Sequence, residues 1–281
     1  RWALKEGLPS PLFAPAMKAG QMVRGLLPES LKAKVPAPQD AGAWPTREHA
    51  RKVLMLAGCV QPAMMPNINT ATARVLDAVG IQTVIASKAG CCGAVKFHLN
   101  DQAGGMAEMR ANIDAWWPQV EAGGVEAIVM NASGCGVTVK EYGHILKDDP
   151  QYAAKAERIS ALTRDLSELL PALLPELATK LQGRVNQPDT LYAYHPPCTL
   201  QHGQKLRGGV EVHLNQLLQA AHRTQRCPPV LWLGRHLFGA QPRPVLPAAR
   251  PQAGCARRGL RQPAARHDLV GQHRLCLLYT S

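Results

Sequence analysis

Three short apolar runs, rich in strand-forming residues, are each followed within five residues by cysteine, and amphipathic helical patterns separate them. The order strand, helix, strand, helix, strand is the βαβ signature, and it predicts an α/β fold with a parallel sheet. Because the carboxyl ends of parallel strands meet at one edge of the sheet, we expect these cysteines to converge there. The runs and their cysteines are Val53–Ala57 with Cys59, Gln82–Ala86 with Cys91 and Cys92, and Glu126–Met130 with Cys135, separated by helices at Ile68–Val79 and Gln102–Ala122.

Four cysteine thiolates at one edge of a sheet suit two kinds of metal site. Cys₄ ligand sets hold iron–sulfur clusters, and they also form tetrahedral zinc sites. Adjacent cysteines fit a cluster, because its separate iron atoms offer spaced points of attachment, whereas two neighbouring thiolates on one zinc ion are more crowded. Glycines surround each cysteine, and glycine lets the backbone approach a bulky ligand closely. Buried structural cysteines without a ligand are the remaining alternative.

The spacing of these cysteines resembles that of the CCG, or cysteine-rich, domain. Cys91, Cys92 and Gly93 read CCG, Cys59 lies 32 positions before Cys91, and Cys135 lies 43 positions after Cys92. The domain occurs in heterodisulfide reductase subunits and in the iron–sulfur subunits of complexes that oxidise glycolate, glycerol-3-phosphate or lactate. Three stretches, RWALKEGLPSPLFAPAMKAGQ, NINTATARVLDAVGI and YHPPCTLQHGQKLRGGVEVHL, resemble the glycolate branch, and the likeness extends over about residues 1–216.

The resemblance implies a cofactor and its ligands. Members with the noncubane cluster carry CxxC at the last position, whereas no second cysteine follows Cys135 here, so a four-thiolate cluster of the 4Fe-4S type is expected. Zinc is the alternative metal. The residues implied are the metal ligands Cys59, Cys91, Cys92 and Cys135, the cofactor-lining Gly93 and Gly134, and Cys198 as a ligand of a second module.

The resemblance also implies a role. The chain would be a non-catalytic electron-transfer subunit of an oxidoreductase, relaying electrons from a flavoprotein subunit that oxidises glycolate toward a quinone or another membrane acceptor. The hydride chemistry would then belong to the flavin. Lactate or glycerol-3-phosphate as the partner's substrate, and a zinc-stabilised structural or interaction module, are the alternatives. A cytoplasmic location is implied, with a peripheral position on the inner face of the cytoplasmic membrane as a further option.

The placement of motifs divides the chain into segments. The sequence begins with Arg and contains no signal-peptide pattern, so we expect it to start inside a longer protein, and the resemblance implies that a ferredoxin-like domain precedes it. Since there is no run of 18 apolar residues, no membrane-spanning helix is expected. A strand, Cys198 and a helix repeat the opening of the first module. The expected segments are a Pro-rich connector at 1–48, the first CCG domain at 49–150, a helical linker at 151–190, the start of a second CCG domain at 191–217, and an irregular tail at 218–281.

The helical patterns also predict where individual helices bend, begin and face the core. The long pattern Ala153–Leu181 contains Pro171 and Pro175, which are expected to kink or divide it. A strand is expected at Leu191–Tyr194, followed by one helix over Leu200–Leu217. The core face of the helix at Gln102–Ala122 is expected to comprise Met106, Met109, Ile113, Trp117 and Val120.

The net charge of +12 would ordinarily indicate nucleic acid or an anionic membrane, but its distribution argues against nucleic acid. From Leu217 onward the chain holds ten Arg, one Asp, and neither Lys nor Glu, which gives +9 over 65 residues. The preceding 216 residues carry only +3. The basic character therefore belongs to the tail, and no nucleic-acid partner is expected.

The tail itself departs from the pattern of a second module. Such a module would carry CCG about 32 residues after Cys198, as the first does after Cys59, but the sequence there reads RCPPVLWLGRH. Codons for Val230–Leu233 read one base later can encode Cys-Cys-Gly, and codons for Arg274–Cys276 can encode Gly-Cys near the next expected cysteine. We therefore expect a frameshift near residue 217, with a disordered basic tail as the alternative. Resequencing the gene distinguishes them, since an unbroken frame would refute the frameshift.

Overall fold

The computed structural model describes residues 2–32, 34–182 and 194–221. Most of the strand expected at Leu191–Tyr194, and the tail from residue 222 onward with Cys227, Cys255 and Cys276, lie outside the described residues. The strands are β1 (Arg51–Met55), β2 (Ile81–Val84), β3 (Ala127–Met130) and β4 (Thr163–Asp165). The helices are α1 (Trp2–Gly7), α2 (Phe13–Met22), α3 (Glu29–Lys32), α4 (Gln61–Met64), α5 (Pro66–Ala78), α6 (Ala94–His98), α7 (Gln102–Glu121), α8 (Ser133–Lys140), α9 (Tyr142–Ile145), α10 (Ala153–Leu162), α11 (Leu166–Leu181) and α12 (Gly209–Ala221), with a 3₁₀ turn at Arg24–Leu26 and a π-helix at Thr199–Gly203.

The four strands form one parallel sheet in the order β2–β1–β3–β4. Val53 of β1 pairs with Thr83 on one side and with Ala127 on the other, and Ile128 pairs with Thr163 of β4. Helices α5 and α7 connect the first three strands, as parallel crossovers require. The α/β fold with a parallel sheet is therefore confirmed, and the first three strands lie no more than two residues from their expected bounds.

Alternating residues of the central strands pack into two cores, one on each face of the sheet. One face carries Leu54, Ile128 and Met130, which pack with buried residues of α7. The other carries Val53, Ala127 and Val129, which pack with residues of α5 and α11. Both faces are thus covered by helices, which is the usual arrangement for a parallel sheet. The helical residues of the two cores include Met109, Ile113 and Trp116 on the first face and Leu76, Leu170, Leu173 and Leu177 on the second.

The buried face of α7 matches the expected one only in part. Met109, Ile113 and Val120 are buried as expected, Met106 and Trp117 are partly buried, and Trp116 and Asn112 are buried in addition. Trp116 is fully buried, whereas the predicted Trp117 is only partly buried and lies under the ammonium of Lys155, 5.2 Å from the ring centroid. Neighbouring helical positions differ by about 100° around the axis, so two adjacent tryptophans cannot both point inward. Packing against the sheet buries Trp116 completely, whereas Trp117, like Met106, packs at the margin of the core.

The long helical pattern Ala153–Leu181, which was expected to kink or divide at its prolines, is instead interrupted by the fourth strand. Thr163 and Asp165 are fully buried in β4, and Asp165 caps α11 by accepting a hydrogen bond from Ser167 N at 2.9 Å. Helix α11 then continues through Pro171 and Pro175 without a break. The interruption therefore comes from strand pairing and capping, not from the prolines.

The start of the expected second module also departs from a single helix. The π-helix Thr199–Gly203 and α12 are separated by a turn in which Lys205 and Gly208 have φ values of 60° and 75°. This left-handed backbone cannot continue a helix. A small core of Tyr194, Leu200 and Val210 holds the turn together.

The N-terminal connector contains three short helices and a 3₁₀ turn. Helix α1 packs on α6, and α2 packs on α4. Gln21 Nε2 donates to the carbonyl oxygen of Ala63 at 3.4 Å, which ties α2 to α4. Among the described residues, no helix has the length and apolar character needed to cross a bilayer.

Candidate metal centre

Four of the predicted site cysteines follow the carboxyl ends of three adjacent strands. Cys59 comes four residues after β1, and Cys135 lies in the first turn of α8, which follows β3. Cys91 and Cys92 occupy the loop between β2 and α6 and are 6% and 3% exposed. Because β1 lies between β2 and β3 in the sheet, their loops meet at one edge.

The four thiols interact in a row. The side chain of Cys91 forms hydrogen-bonding contacts with those of Cys59 and Cys92, and Cys92 has a further contact with Cys135. Hydrogen bonds from the thiols of Cys59 and Cys92, with help from the Gly93 backbone N–H, lower the pKa of Cys91 well below that of a free thiol. The contact with Cys91, followed by burial, raises the pKa of Cys59. A negative charge on the Cys91 sulfur is thus stabilised by hydrogen bonds from the neighbouring thiols. The thiolate is the form of cysteine that binds metal.

The number and type of these donors bear on which metal group fits them. Within the described ranges, no three His, Cys, Asp or Glu side chains are arranged to hold a single metal ion. The row offers four sulfur donors, two of them on adjacent residues, which suits the separated corners of a Cys₄ cluster better than one tetrahedral ion. The donor chemistry therefore fits an iron–sulfur cluster.

Two glycines predicted to line the cofactor have different surroundings. Gly134 has open space where a side chain would begin, with no atom within 4 Å. Gly93 has a φ of 88°, and a Cβ there would lie 2.6 Å from the carbonyl oxygen of Gly105. Gly93 is therefore required by the turn into α6 and by close packing on α7, and its role toward a cofactor stays a prediction, as does that of Gly134.

Asn112, a buried polar residue of α7, supports the loop that carries the adjacent cysteines. It accepts a hydrogen bond from Gly90 N at 2.8 Å and donates to the Cys91 carbonyl at 2.6 Å. It also donates to the hydroxyl of Tyr142 at 3.2 Å, and that hydroxyl donates to the Cys92 carbonyl at 2.8 Å. Burial raises the pKa of Tyr142, so the hydroxyl keeps the proton that it donates. Two side chains thereby fix the backbone of both cysteines.

A second buried network supports the loop of Cys59. Asn131, which directly follows β3, donates to Asn69 Oδ1 at 2.9 Å and accepts from Gln61 Nε2 at 3.1 Å. Asn69 in turn donates to the carbonyl oxygen of Ala57 at 3.0 Å, two residues before Cys59. The network joins the loops after β1 and β3, so the positions of Cys59 and Cys135 depend on each other.

A carboxylate lies beside the row of thiols. Glu108 of α7 contacts the side chain of Cys91 and forms an ion pair with Lys96 at 2.9 Å. Burial is the main cause that raises the pKa of Glu108 to about 7. The positive charge of Lys96 therefore offsets the negative charge of the Glu108 carboxylate inside the protein, in addition to any effect on the thiols.

Cys198 does not share this position. It is exposed and lies immediately before the π-helix, which packs on α8. Thr199 Oγ1 is 2.6 Å from Ser133 Oγ, and Gln204 Nε2 donates to the Ser133 carbonyl at 3.0 Å and to Asp165 Oδ2 at 3.1 Å. The contacts described above link Cys59, Cys91, Cys92 and Cys135, and a ligand role for Cys198 stays a prediction.

The sequence patterns located the cysteines but not their supporting side chains. Asn112, Asn131 and Asn69 are polar residues inside buried segments, and Tyr142 is a fully buried phenol. The available signal was polarity on the core face of a helix, since buried polar groups usually hold a hydrogen bond. The partners themselves are 12 to 70 residues away in sequence, so no local pattern identifies them.

Comparison with known families agrees with this geometry. Residues 53–140 match the CCG family model, described as a cysteine-rich domain, and this range contains all four interacting thiols. The protein therefore carries a CCG cysteine-rich domain, built on a parallel α/β sheet with its cysteines at the carboxyl edge.

Whole-chain similarity is more specific. The chain is 51% identical over 219 residues to the glycolate oxidase iron–sulfur subunit of Escherichia coli (strain K12), covering 77% of this chain and 52% of that protein. It is 34% identical over 123 residues to the probable glycolate oxidase iron–sulfur subunit of Bacillus subtilis (strain 168), covering 44% and 27%. It is 27% identical over 172 residues to lactate utilization protein A of Geobacillus thermodenitrificans (strain NG80-2), covering 59% and 64%. The resemblance to the glycolate branch is thus confirmed, over about half the length of the Escherichia coli relative. No solved structure matches the chain.

Proposed function

We propose that this chain belongs to the electron-transfer part of a flavin-dependent glycolate-oxidising complex. The observation that carries the proposal is the row of four interacting thiols inside the CCG domain. The similarity to an iron–sulfur subunit of glycolate oxidase supports the same role. In this proposal the chain relays electrons from a flavoprotein subunit toward a quinone acceptor, and it has no catalytic residue of its own.

The proposed ligands are Cys59, Cys91, Cys92 and Cys135. A cluster of the 4Fe-4S type bound there would accept and pass on single electrons. The chain would orient the thiolates through the hydrogen bonds of Asn112 and Tyr142 and would restrict water by burying Cys91 and Cys92. Hydrogen bonds to sulfur and burial of the site are the means by which a protein adjusts a cluster's reduction potential.

The experiment that tests the metal is anaerobic purification with analysis of iron and sulfide. We expect brown protein with about four irons and four sulfides per chain. Replacing any one of the four cysteines by Ala should remove most of the iron, whereas Cys198→Ala should leave the iron content unchanged, because the sequence lacks the other cysteines that a second module would need. Colourless protein with zinc would refute the proposal, and so would full iron retention in a variant of any of the four.

The substrate is tested by the partner that delivers electrons. Distant similarity to lactate utilization proteins makes lactate the second candidate. We expect the cluster, in a complex with its flavoprotein subunit, to be bleached by glycolate under anaerobic conditions. Bleaching by lactate or glycerol-3-phosphate and not by glycolate would assign the chain to the other branch. The proposed location is the cytoplasm, peripheral to the inner face of the membrane that holds the quinone.

A further inference from the structure

The side chain of Gln204 joins three segments of the chain that are far apart in sequence. Gln204 directly follows the π-helix Thr199–Gly203, and its Nε2 donates to the Ser133 carbonyl at 3.0 Å and to Asp165 Oδ2 at 3.1 Å. These partners lie 71 and 39 residues earlier in the sequence. One amide group therefore connects the π-helix with the first turn of α8 and with the end of β4.

The orientation of the Gln204 amide follows from its partners. Both are acceptors, because the Ser133 group is a carbonyl and the other oxygen of Asp165 already accepts hydrogen bonds from Ser167 N and Oγ. Only the nitrogen end of a glutamine amide can donate, and it donates two hydrogen bonds. The amide oxygen Oε1 is buried, and no partner for it lies within the described part of the chain. Since an unpaired buried acceptor is unfavourable, the two donated bonds are what keeps this side chain in place.

The amide of Gln204 also fills the space beside Gly136 of α8. A Cβ at position 136 would lie 2.6 Å from Nε2 and 3.1 Å from Cδ of Gln204. Any other residue there would displace the amide and break its hydrogen bonds, whereas glycine allows the close approach. Gly203, the residue before Gln204, lies against Val137 in the same way, since its own Cβ would be 2.5 Å from Cγ2. The π-helix and α8 therefore fit together closely on both sides of the amide.

Cys135 lies on the other side of α8 from these contacts. Successive helical residues are about 100° apart around the axis, so Ser133, Gly136 and Val137 share one face. Cys135 is about 150° from the centre of that face by the same geometry. Helix α6, which follows the loop of the two adjacent cysteines, also packs on α8. Gln204 thus holds one side of the first turn of α8 while the other side presents the Cys135 thiol.

We infer that Gln204 is a positioning residue of the metal centre, which fixes the first turn of α8 and, through it, the sulfur of Cys135. The role at a metal centre rests on the proposed function, because it takes Cys135 as one of the proposed ligands. Gln204 and its partner Asp165 both lie outside residues 53–140, the range that matches the CCG family model. The range that carries the four thiols therefore does not contain everything that holds the last of them.

The test measures the rate at which iodoacetamide alkylates each cysteine of the reduced, metal-free full chain, resolved by peptide mass spectrometry. The variant is Gln204→Glu, which keeps the size of the side chain but replaces the donor by a carboxylate that faces two acceptors. The matched control is Gln201→Glu, the same substitution within the π-helix, where the amide donates to the nearby Pro196 carbonyl at 3.0 Å. The exposed Cys198 of the same segment is the internal reference in every variant.

We expect Gln204→Glu to raise the rate at Cys135, relative to Cys198, about five-fold or more, because the first turn of α8 opens locally. The rate at the buried Cys91 should rise less than about two-fold, and Gln201→Glu should leave both rates unchanged. Equal increases at Cys91 and Cys135 would show general unfolding and would overturn the inference. No increase at Cys135, or an equal increase in the control, would also overturn it.

Gly136→Ala tests the same contact from the side of α8. Because its Cβ displaces the amide, it should raise the rate at Cys135 in the wild-type chain but add less than about two-fold to Gln204→Glu. Effects that multiply would show that the two residues act separately and would overturn the inference. Circular dichroism confirms that each variant is folded before the comparison. Alkylation needs no bound metal, so this inference can fail while the iron–sulfur proposal stands, and the reverse.

Discussion

Tyr142→Phe isolates the contribution of one hydroxyl to the loop that carries the adjacent cysteines. The tyrosine is fully buried, and its hydroxyl donates to the Cys92 carbonyl at 2.8 Å while accepting from Asn112 at 3.2 Å. Phenylalanine keeps the ring, so the loss is the hydroxyl alone. The substitution leaves the buried Cys92 carbonyl and one amide hydrogen of Asn112 without partners. An unsatisfied buried group costs about 1–3 kcal/mol. We therefore expect the free energy of unfolding to fall by about 2–3 kcal/mol.

The assay is unfolding of the metal-free chain by urea and by heat, followed by circular dichroism. For a domain of this size the expected loss corresponds to a decrease in Tm of about 4–12 °C. The matched control is Tyr152→Phe, which removes an exposed hydroxyl bonded to Asp114 at 2.8 Å and should change stability by less than about 0.5 kcal/mol. If the two variants unfold alike, the hydroxyl of Tyr142 does not hold the loop and the reasoning is refuted.

Two further predictions concern the turn into α6 and the acid stability of the fold. Gly93→Ala should destabilise the fold by about 2–4 kcal/mol, because it combines a left-handed φ of 88° with a Cβ 2.6 Å from Gly105 O. Gly123→Ala, with a φ of 73° and open space, should cost only about 1 kcal/mol in the same denaturation assay, and equal losses would contradict the steric argument. Arg47, and then His49, lower the pKa of Asp77 through hydrogen bonds, so its stabilisation is present above the unfolded value of 3.8 and is lost as the pH falls through the lower folded pKa. The difference in unfolding free energy between the wild-type chain and Asp77→Asn should therefore shrink below about pH 4, and a gap independent of pH would disprove the linkage.

The parallel sheet and the gathering of cysteines could be derived from the sequence because both depend on local patterns. Each apolar run is short, each is followed by a helical pattern, and parallel strands necessarily present their carboxyl ends together. Position after a strand is therefore enough to place Cys59, Cys91, Cys92 and Cys135 at one edge. No knowledge of the tertiary packing was needed for that step.

Features that depend on packing could not be derived in this way. Strand β4 has only three residues, Thr163–Asp165, and its burial comes from pairing with β3 and not from its own hydrophobicity. The choice of Trp116 over Trp117 depends on the angle at which α7 meets the sheet. The hydrogen bonds of Asn112 and Tyr142 to the cysteine loop link distant segments, so they appear only after the sheet and helices are assembled.

The hydrogen bond of Tyr142 has an electrostatic consequence at the opposite end of the same peptide group. The carbonyl of Cys92 and the N–H of Gly93 belong to one trans peptide, so they point in opposite directions. With the oxygen held inward by the phenol, the N–H is directed at the sulfur of Cys91, where it favours the thiolate. The peptide thus presents the positive end of its dipole to the thiols. If these sulfurs hold a cluster as proposed, this fixed positive potential would favour its reduced state.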